Sequence, residues 1–318
     1  MANRAGLTQA LIPYPPTTSL PELLPGPLPG RLPPDAMFPA GDNRFRVRFV
    51  TLPSGLRLRV IECGDERASR VVVCVHGWAC SVYSYRLLMP LLAARGMRVV
   101  AMDLQGHGLS DKPADAGQYT LGTLTRSVRE TMDALAIQRA TLVGHSMGGP
   151  VCARIAAGER DRVAGLVLLA PAGFGTEWPI RLGAALTPRF VSPLLPHLTQ
   201  RWLFALVLKM AYGTLRPTTD EVVDEYWAPS QFPEYTRGMW DILHRFDWRA
   251  GSDHYYDDIQ VPTAVLTGTL DHFVVRRWAM SYARVLRHAT IVTIAGCGHV
   301  IAEEDPEAVE KAVLGLGG

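Results

Sequence analysis

From Arg44 onward the chain switches between two kinds of hydrophobic spacing. Phe45-Arg46-Val47-Arg48-Phe49-Val50 sets apolar and basic residues in turn, the period of a half-buried strand. Pro53-Ser54-Gly55 makes a turn and Leu56 to Ile61 alternates again, so the two runs predict a hairpin at the antiparallel edge of a larger sheet. Val71-Val72-Val73-Cys74-Val75 has no polar position, as in a strand covered on both faces. Helix and strand spacing then take turns. Tyr85 to Ala94 reads as helix, Val99 to Met102 as strand and Leu121 to Leu135 as helix. Ala140 to Val143 reads as strand, Val151 to Ala157 as helix and Val163 to Leu169 as strand. Such alternation predicts a parallel sheet with helices on both faces, whose chemistry gathers at the carboxyl ends of the strands.

The alternation stops after Pro171. Residues 174–257 read as helices and loops rich in aromatics, among them Trp178, Phe190, Trp202, Tyr226, Tyr235 and Trp248. Strand and helix spacing resume with Val261 to Leu266 (strand), Trp278 to Val285 (helix), Ala289 to Ile294 (strand) and Pro306 to Leu314 (helix). A helical insertion between two parallel strands is placed over their carboxyl ends, as a lid. Its stretch Trp202 to Leu208 suggests an apolar roof and a lipophilic substrate group. The expected organisation is a Pro-rich arm over residues 1–43, a first core part over 44–173, the lid over 174–257 and a second core part over 258–318. Prolines at the arm's density exclude helix or central strand and leave an extended polyproline-like or disordered segment.

Composition narrows the function classes. Among 318 residues 48% are hydrophobic, enough for a sizeable core, and the net charge of +2 gives no electrostatic basis for holding nucleic acid. Cys63, Cys74, Cys80, Cys152 and Cys297 show no CxxC pairing, and read as reduced thiols, not a disulfide framework or zinc site. Pro13, Pro15 and Pro16 interrupt any apolar leader, so the expected location is cytoplasmic. Trp202 to Tyr212 is too short to span a bilayer and is broken by Lys209, so no stable membrane insertion is expected. No metal or cofactor is expected. Gly106-x-Gly108 meets Asp111 where a dinucleotide fingerprint needs glycine, and no P-loop lysine follows Gly148-Gly149.

The candidate chemistry lies at the strand ends. Thr141 to Val143 runs into Gly144-His145-Ser146-Met147-Gly148 and on into a helix, the strand–turn–helix setting of a nucleophile elbow. Gly144 and Gly148 are small because such a turn brings strand and helix backbones together. A serine needs a base, and the base an orienting acid. Asp271 follows one later strand in Gly268-Thr269-Leu270-Asp271, and His299 follows the last in Gly296-Cys297-Gly298-His299. His76-Gly77-Trp78 ends the apolar strand and would bring a second main-chain N–H, that of Trp78, to join the N–H of Met147 around a developing oxyanion. Donors so placed are worth roughly 3–4 kcal/mol each. Asp103-Leu104-Gln105-Gly106-His107-Gly108-Leu109-Ser110-Asp111 is a tight loop with a structural role.

These motifs together resemble the α/β-hydrolase superfamily over roughly residues 45 to 318. The resemblance implies a mostly parallel eight-stranded sheet with a helical lid after the sixth strand, and Ser146, Asp271 and His299 as catalytic residues. Trp78 and Met147 would form the oxyanion hole. Within the superfamily the chain is similar to capped esterases, cofactor-free haloperoxidases and carbon–carbon bond hydrolases. Epoxide hydrolases and haloalkane dehalogenases share the scaffold but use an aspartate nucleophile, against which Ser146 argues. Carbon–carbon hydrolases often carry Asn where this chain has His145.

Nine histidines compete for the role of base. His76, His107 and His145 belong to loop motifs and should bond backbone. His272 is too close to Asp271 in sequence to face it, and His197, His244, His254 and His288 read as surface or lid residues. Asp257 and Asp258 precede a strand, and no carboxylate stands at Ala170-Pro171-Ala172, so Asp271 is the expected acid. The expected function is hydrolysis of a carboxylic ester of a small to medium lipophilic molecule. Perhydrolase or haloperoxidase chemistry, carbon–carbon cleavage, and a hydrolase-fold ligand-binding protein remain alternatives.

Overall fold

The computed structural model describes residues 31–174, 178–188, 199–250, 254–274, 281–282, 284–286 and 289–316. The first thirty residues of the Pro-rich arm, Phe190, His197, His288 and part of the helix expected over Trp278 to Val285 lie outside the described residues, as do the side chains of Trp178 and His254.

Eight strands form one sheet: β1 (Phe45–Thr51), β2 (Arg57–Cys63), β3 (Val71–Val75), β4 (Arg98–Met102), β5 (Ala140–His145), β6 (Val163–Leu169), β7 (Thr263–Gly268) and β8 (Ala289–Ile294). Their order is β1-β2-β4-β3-β5-β6-β7-β8. β2 runs antiparallel to β1 and β4, and every other neighbouring pair is parallel. The hairpin expected from the alternating segments is therefore the antiparallel edge. The register levels the strand ends that matter. Val75 pairs with both Met102 and Gly144, and His145 with Leu169, so the loops leaving β3, β4, β5 and β6 emerge side by side.

The apolar strands are covered on both faces because alternate side chains point opposite ways. Val73, Val75 and Leu142 enter one core, with Leu124 and Val128 of helix α2 (Leu121–Ala134) and Val151 and Ile155 of α3 (Gly148–Gly158). Val72, Cys74 and Val143 enter the other, with Leu88 and Leu92 of α1 (Leu88–Ala94). β2 departs from its alternation. Only Arg57 at its start is part-exposed, because the polar members are neutralised in place. Arg59 pairs with Asp103, and Glu62 with Arg48 and Arg98.

Between β6 and β7 lie α4 (Trp178–Leu186), α5 (Arg201–Ala211), α6 (Asp220–Trp227) and α7 (Pro233–Arg245). Their inner side chains do not form a separate core. Phe232, Tyr235, Met239 and Ile242 join the cluster that covers one face of the sheet. Leu208, Tyr212, Val223 and Tyr226 pack on Cys80, Tyr83 and Val300. Trp202 is different: it is 66% exposed, outside both the core and the roof expected of it. The chain ends in α8 (Ile301–Glu304) and α9 (Pro306–Gly315).

Packing also begins before Arg44. Met37 is buried, Phe38 stacks edge-on against Phe45 at 4.8 Å, and its main chain donates to Glu225 (2.7 Å) and accepts from Arg59 (3.0 Å). Among the described residues no helix is long and apolar enough to cross a membrane.

Candidate active site

β5 ends in a turn that holds Ser146 at φ +50°, a left-handed conformation that serine adopts only when its surroundings impose it. Those surroundings are specific. A Cβ on Gly144 would lie 2.5 Å from the Gly148 carbonyl oxygen, and one on Gly148 would lie 2.1 Å from that of Val75. Only glycine permits this approach at either position. The Ser146 N–H donates to the Leu169 carbonyl at 2.9 Å, while the Ser146 carbonyl accepts from Gly149 (2.9 Å) and Ala172 (3.1 Å). Helix α3 starts at Gly148, earlier than the Val151 expected, and Pro150 sits in its first turn, where no N–H is needed.

The turn after β8 carries His299. Its Nδ1 lies 2.9 Å from Asp271 Oδ2, and Asp271 Oδ1 accepts from the N–H groups of Phe273 and Val274, each at 2.8 Å. An ionised carboxylate only accepts, so Nδ1 carries the proton and Nε2 is the basic nitrogen. The Asp271 side chain is 1% exposed, that of His299 12%. His272, the neighbouring rival, is exposed, as are Asp257 and Asp258.

The remaining loops act as supports. Asp103, fully buried, accepts from Arg59 Nε (2.7 Å), Val82 N–H (2.9 Å) and Leu109 N–H (2.9 Å). It thereby ties β2, the chain after His76-Gly77-Trp78 and the glycine loop after β4 to one carboxylate. His76 donates from Nδ1 to the Gly77 carbonyl (2.8 Å) and accepts at Nε2 from Leu104 N–H (3.0 Å), as expected of a structural histidine. Burial holds its pKa below the ordinary value and keeps it neutral. A Cβ on Gly77 would fall 3.0 Å from that of Ser146, so the loop bearing the Trp78 amide lies against the elbow. His145 is also buried, with Nε2 3.0 Å from the His299 carbonyl oxygen, and burial drives its pKa well below the usual imidazole range.

Ser146 and His299 share one cavity of about 300 Å³. α5 lines it with Leu203, Phe204, Val207 and Leu208, α7 with Met239, and Trp248 and Trp78 face it as well. Cys80 also lines it, but burial raises its pKa to about 12 and keeps the thiol protonated. A hydroxyl on a strained turn, an imidazole backed by a carboxylate and an apolar cavity wall suit nucleophilic substitution on a lipophilic molecule.

Two supporting residues escape the sequence reading. Glu304 Oε1 accepts from Gly298 N–H (2.7 Å) and Oε2 from Gly213 N–H (2.8 Å), fixing the His299 turn against the end of α5. Glu303, 1% exposed, binds Arg86 and the hydroxyls of Tyr212 and Tyr226. Their only signal in the chain is an acidic pair four and five residues after the histidine, following an apolar run, which reads equally well as a solvated helix start.

The geometry defines an α/β hydrolase, and comparison with known proteins agrees. The model of the alpha/beta hydrolase fold matches residues 70–306, and the chain belongs to that family. It is 27% identical over 309 residues to epoxide hydrolase A of Mycobacterium tuberculosis, across 82% of this chain and 94% of that protein. Among solved structures, a bacterial membrane phospholipase A superposes with a TM-score of 0.73 at 22% identity, covering 86% of each chain. A serine hydrolase involved in carbazole degradation superposes with a TM-score of 0.71 at 23% identity, over 86% of this chain and 98% of that one.

Proposed function

We propose that this hydrolase cleaves a carboxylic ester of a small to medium lipophilic molecule through an acyl-enzyme on Ser146. The observation that carries the reading is the 2.9 Å contact of His299 Nδ1 with Asp271, with His299 in the same cavity as the strained Ser146. On this reading His299 Nε2 takes the Ser146 proton as Oγ attacks the carbonyl carbon, and Asp271 stabilises the imidazolium. The main-chain N–H groups of Trp78 and Met147 bind the oxyanion. His299 returns the proton to the leaving alcohol, and water, activated by the same imidazole, releases the acid.

Helices α4 to α7 act as the lid. Their contribution is the apolar wall over the serine, and a cavity of about 300 Å³ suits a short to medium acyl or alcohol group. The relative from Mycobacterium tuberculosis is named an epoxide hydrolase. That chemistry on this scaffold uses an aspartate at the elbow, and this chain has Ser146 there.

p-Nitrophenyl esters of increasing chain length test the proposal. Wild-type protein is expected to release a burst of nitrophenol followed by turnover with a chain-length optimum. Ser146→Ala should lose the burst and at least about a thousandfold in rate. Full activity in Ser146→Ala would falsify the acyl-enzyme.

A further inference from the structure

α5 presents two apolar faces. Phe204 and Leu208 turn inward to the cavity, while Trp202, Leu203, Leu206 and Val207 are 66%, 37%, 50% and 44% exposed. These four recur at helical spacing on one outer stripe, which Lys209 continues. Leu203 and Val207 belong to both surfaces: they are exposed and they line the cavity. The stripe is thus continuous with the cavity wall. Leu182 (47%) and Leu186 (66%) of α4 add exposed apolar surface to the same segment. Apolar surface of this kind on a folded protein marks a place where something apolar docks.

The charges say what kind of surface docks. From Trp178 to Thr219 the chain carries Arg181, Arg189, Arg201, Lys209 and Arg216, and no Asp or Glu at all. The whole chain has 32 basic and 30 acidic residues, so the rest of it is net acidic and the positive excess is concentrated here. Arg201 is engaged with Asp220 and Asp224, and Arg216 with Glu307. Lys209 is exposed on the apolar stripe, and Arg181 is exposed on α4 next to Leu182. A helix with Trp and Leu outward, a lysine continuing that stripe and no carboxylate on it matches an interface of acyl chains under anionic headgroups.

We propose that α5, with α4, seats this enzyme on an anionic lipid surface, so that the cavity wall at Leu203 and Val207 faces the acyl phase. Contact is peripheral, through the outer faces of these helices. The corollary that substrate arrives from the lipid rests on the ester-hydrolase reading; the docking itself does not.

Co-sedimentation with vesicles of phosphatidylglycerol and phosphatidylcholine, against vesicles of phosphatidylcholine alone, tests it. The full chain is expected to pellet with the anionic vesicles and to be released as salt is raised. Trp202→Ser with Leu206→Ser, neither of which lines the cavity, should weaken partitioning by at least about tenfold. Lys209→Glu should weaken it by about threefold or more. Turnover of a water-soluble short-chain ester should be the same in wild type and variants; its absence in all of them would fail the ester reading while leaving the sedimentation result intact. Equal binding by wild type and the double variant, or no preference for anionic vesicles, would overturn the proposal. So would a wild-type dimer in light scattering that Trp202→Ser converts to monomer, since the face would then belong to a second copy of this chain.

Discussion

β3 and α5 are similarly apolar stretches, yet the fold treats them differently. Val72, Val73, Cys74 and Val75 are at most 1% exposed, enclosed between two layers of helices. α5 buries Leu208 and Ala211 but leaves Trp202 at 66% and Leu206 at 50%. Burial on both faces makes the sheet a rigid frame, and its register brings the loops after β3, β4 and β5 to one edge. The segment carrying α5 is held to that frame by its inner face only, through Leu208, Tyr212 and Tyr226 on Cys80, Tyr83 and Val300 and through Glu303 with Tyr212 and Tyr226. The frame thus sets where Ser146, Asp271 and His299 stand, and the helical segment lines the cavity that Ser146 and His299 share.

The largest effect expected on the frame side is chemical. Asp271→Asn places an amide where His299 Nδ1–H needs an acceptor and favours the wrong tautomer, so kcat on a p-nitrophenyl ester should fall by about 10⁴ with the fold intact by circular dichroism. A fall of less than tenfold would remove Asp271 from the triad reading. Next comes Arg59→Met, which leaves the Asp103 carboxylate buried without its cation. Denaturant unfolding should show a loss of about 3–5 kcal/mol, and a loss near zero would mean that β2 and the two loops bearing Val82 and Leu109 are not held through Asp103.

A smaller effect lies where the two regions meet. Burial raises the Glu225 carboxyl from its ordinary 4.5 to about 7, although the Phe38 N–H opposes this. The folded state therefore holds that proton more tightly than the unfolded chain, and this contribution to stability is lost as pH rises from about 4.5 to about 7. Glu225→Gln keeps an oxygen for Phe38. It should raise stability by up to about 3 kcal/mol near pH 8 and match wild type near pH 4.5, read from melting curves at both. Equal gains at the two pH values would point to packing instead of charge. The smallest change tests the helical segment alone. Leu203→Phe at the cavity wall should lower kcat/KM for the longest accepted ester by about three- to tenfold and leave the shortest unchanged. A uniform loss across chain lengths would place Leu203 away from the acyl group.

The sequence was informative where chemistry and backbone geometry demand particular residue types. Gly144 and Gly148 were readable because a Cβ at either would strike a carbonyl oxygen, and an apolar strand such as β3 admits one interpretation. The strands and most helices follow from spacing alone, with ends shifted by a few residues, as at α3. Sequence reasoning was weaker where a polar residue is tolerated only through a distant partner. Arg59 fits the alternation of an exposed strand position, and its burial depends on Asp103, 44 residues away. Glu303 and Glu304 resemble a solvated helix start until Tyr212, Tyr226, Gly213 and Gly298 surround them. Trp202 fits a roof by composition, yet helical phase turns it outward while Phe204 and Leu208 turn in.

By itself, then, the chain determined its family scaffold and the order of Ser146, Asp271 and His299 at strand ends, because local spacing and glycine geometry are properties of short segments. Only the tertiary structure decided that His299 meets Asp271 at 2.9 Å, that Glu304 anchors the histidine turn, and that α5 divides its apolar residues between cavity and surface. Those outcomes depend on contacts between segments far apart in sequence, and no spacing rule reports which partner a buried charge or an outward tryptophan will find.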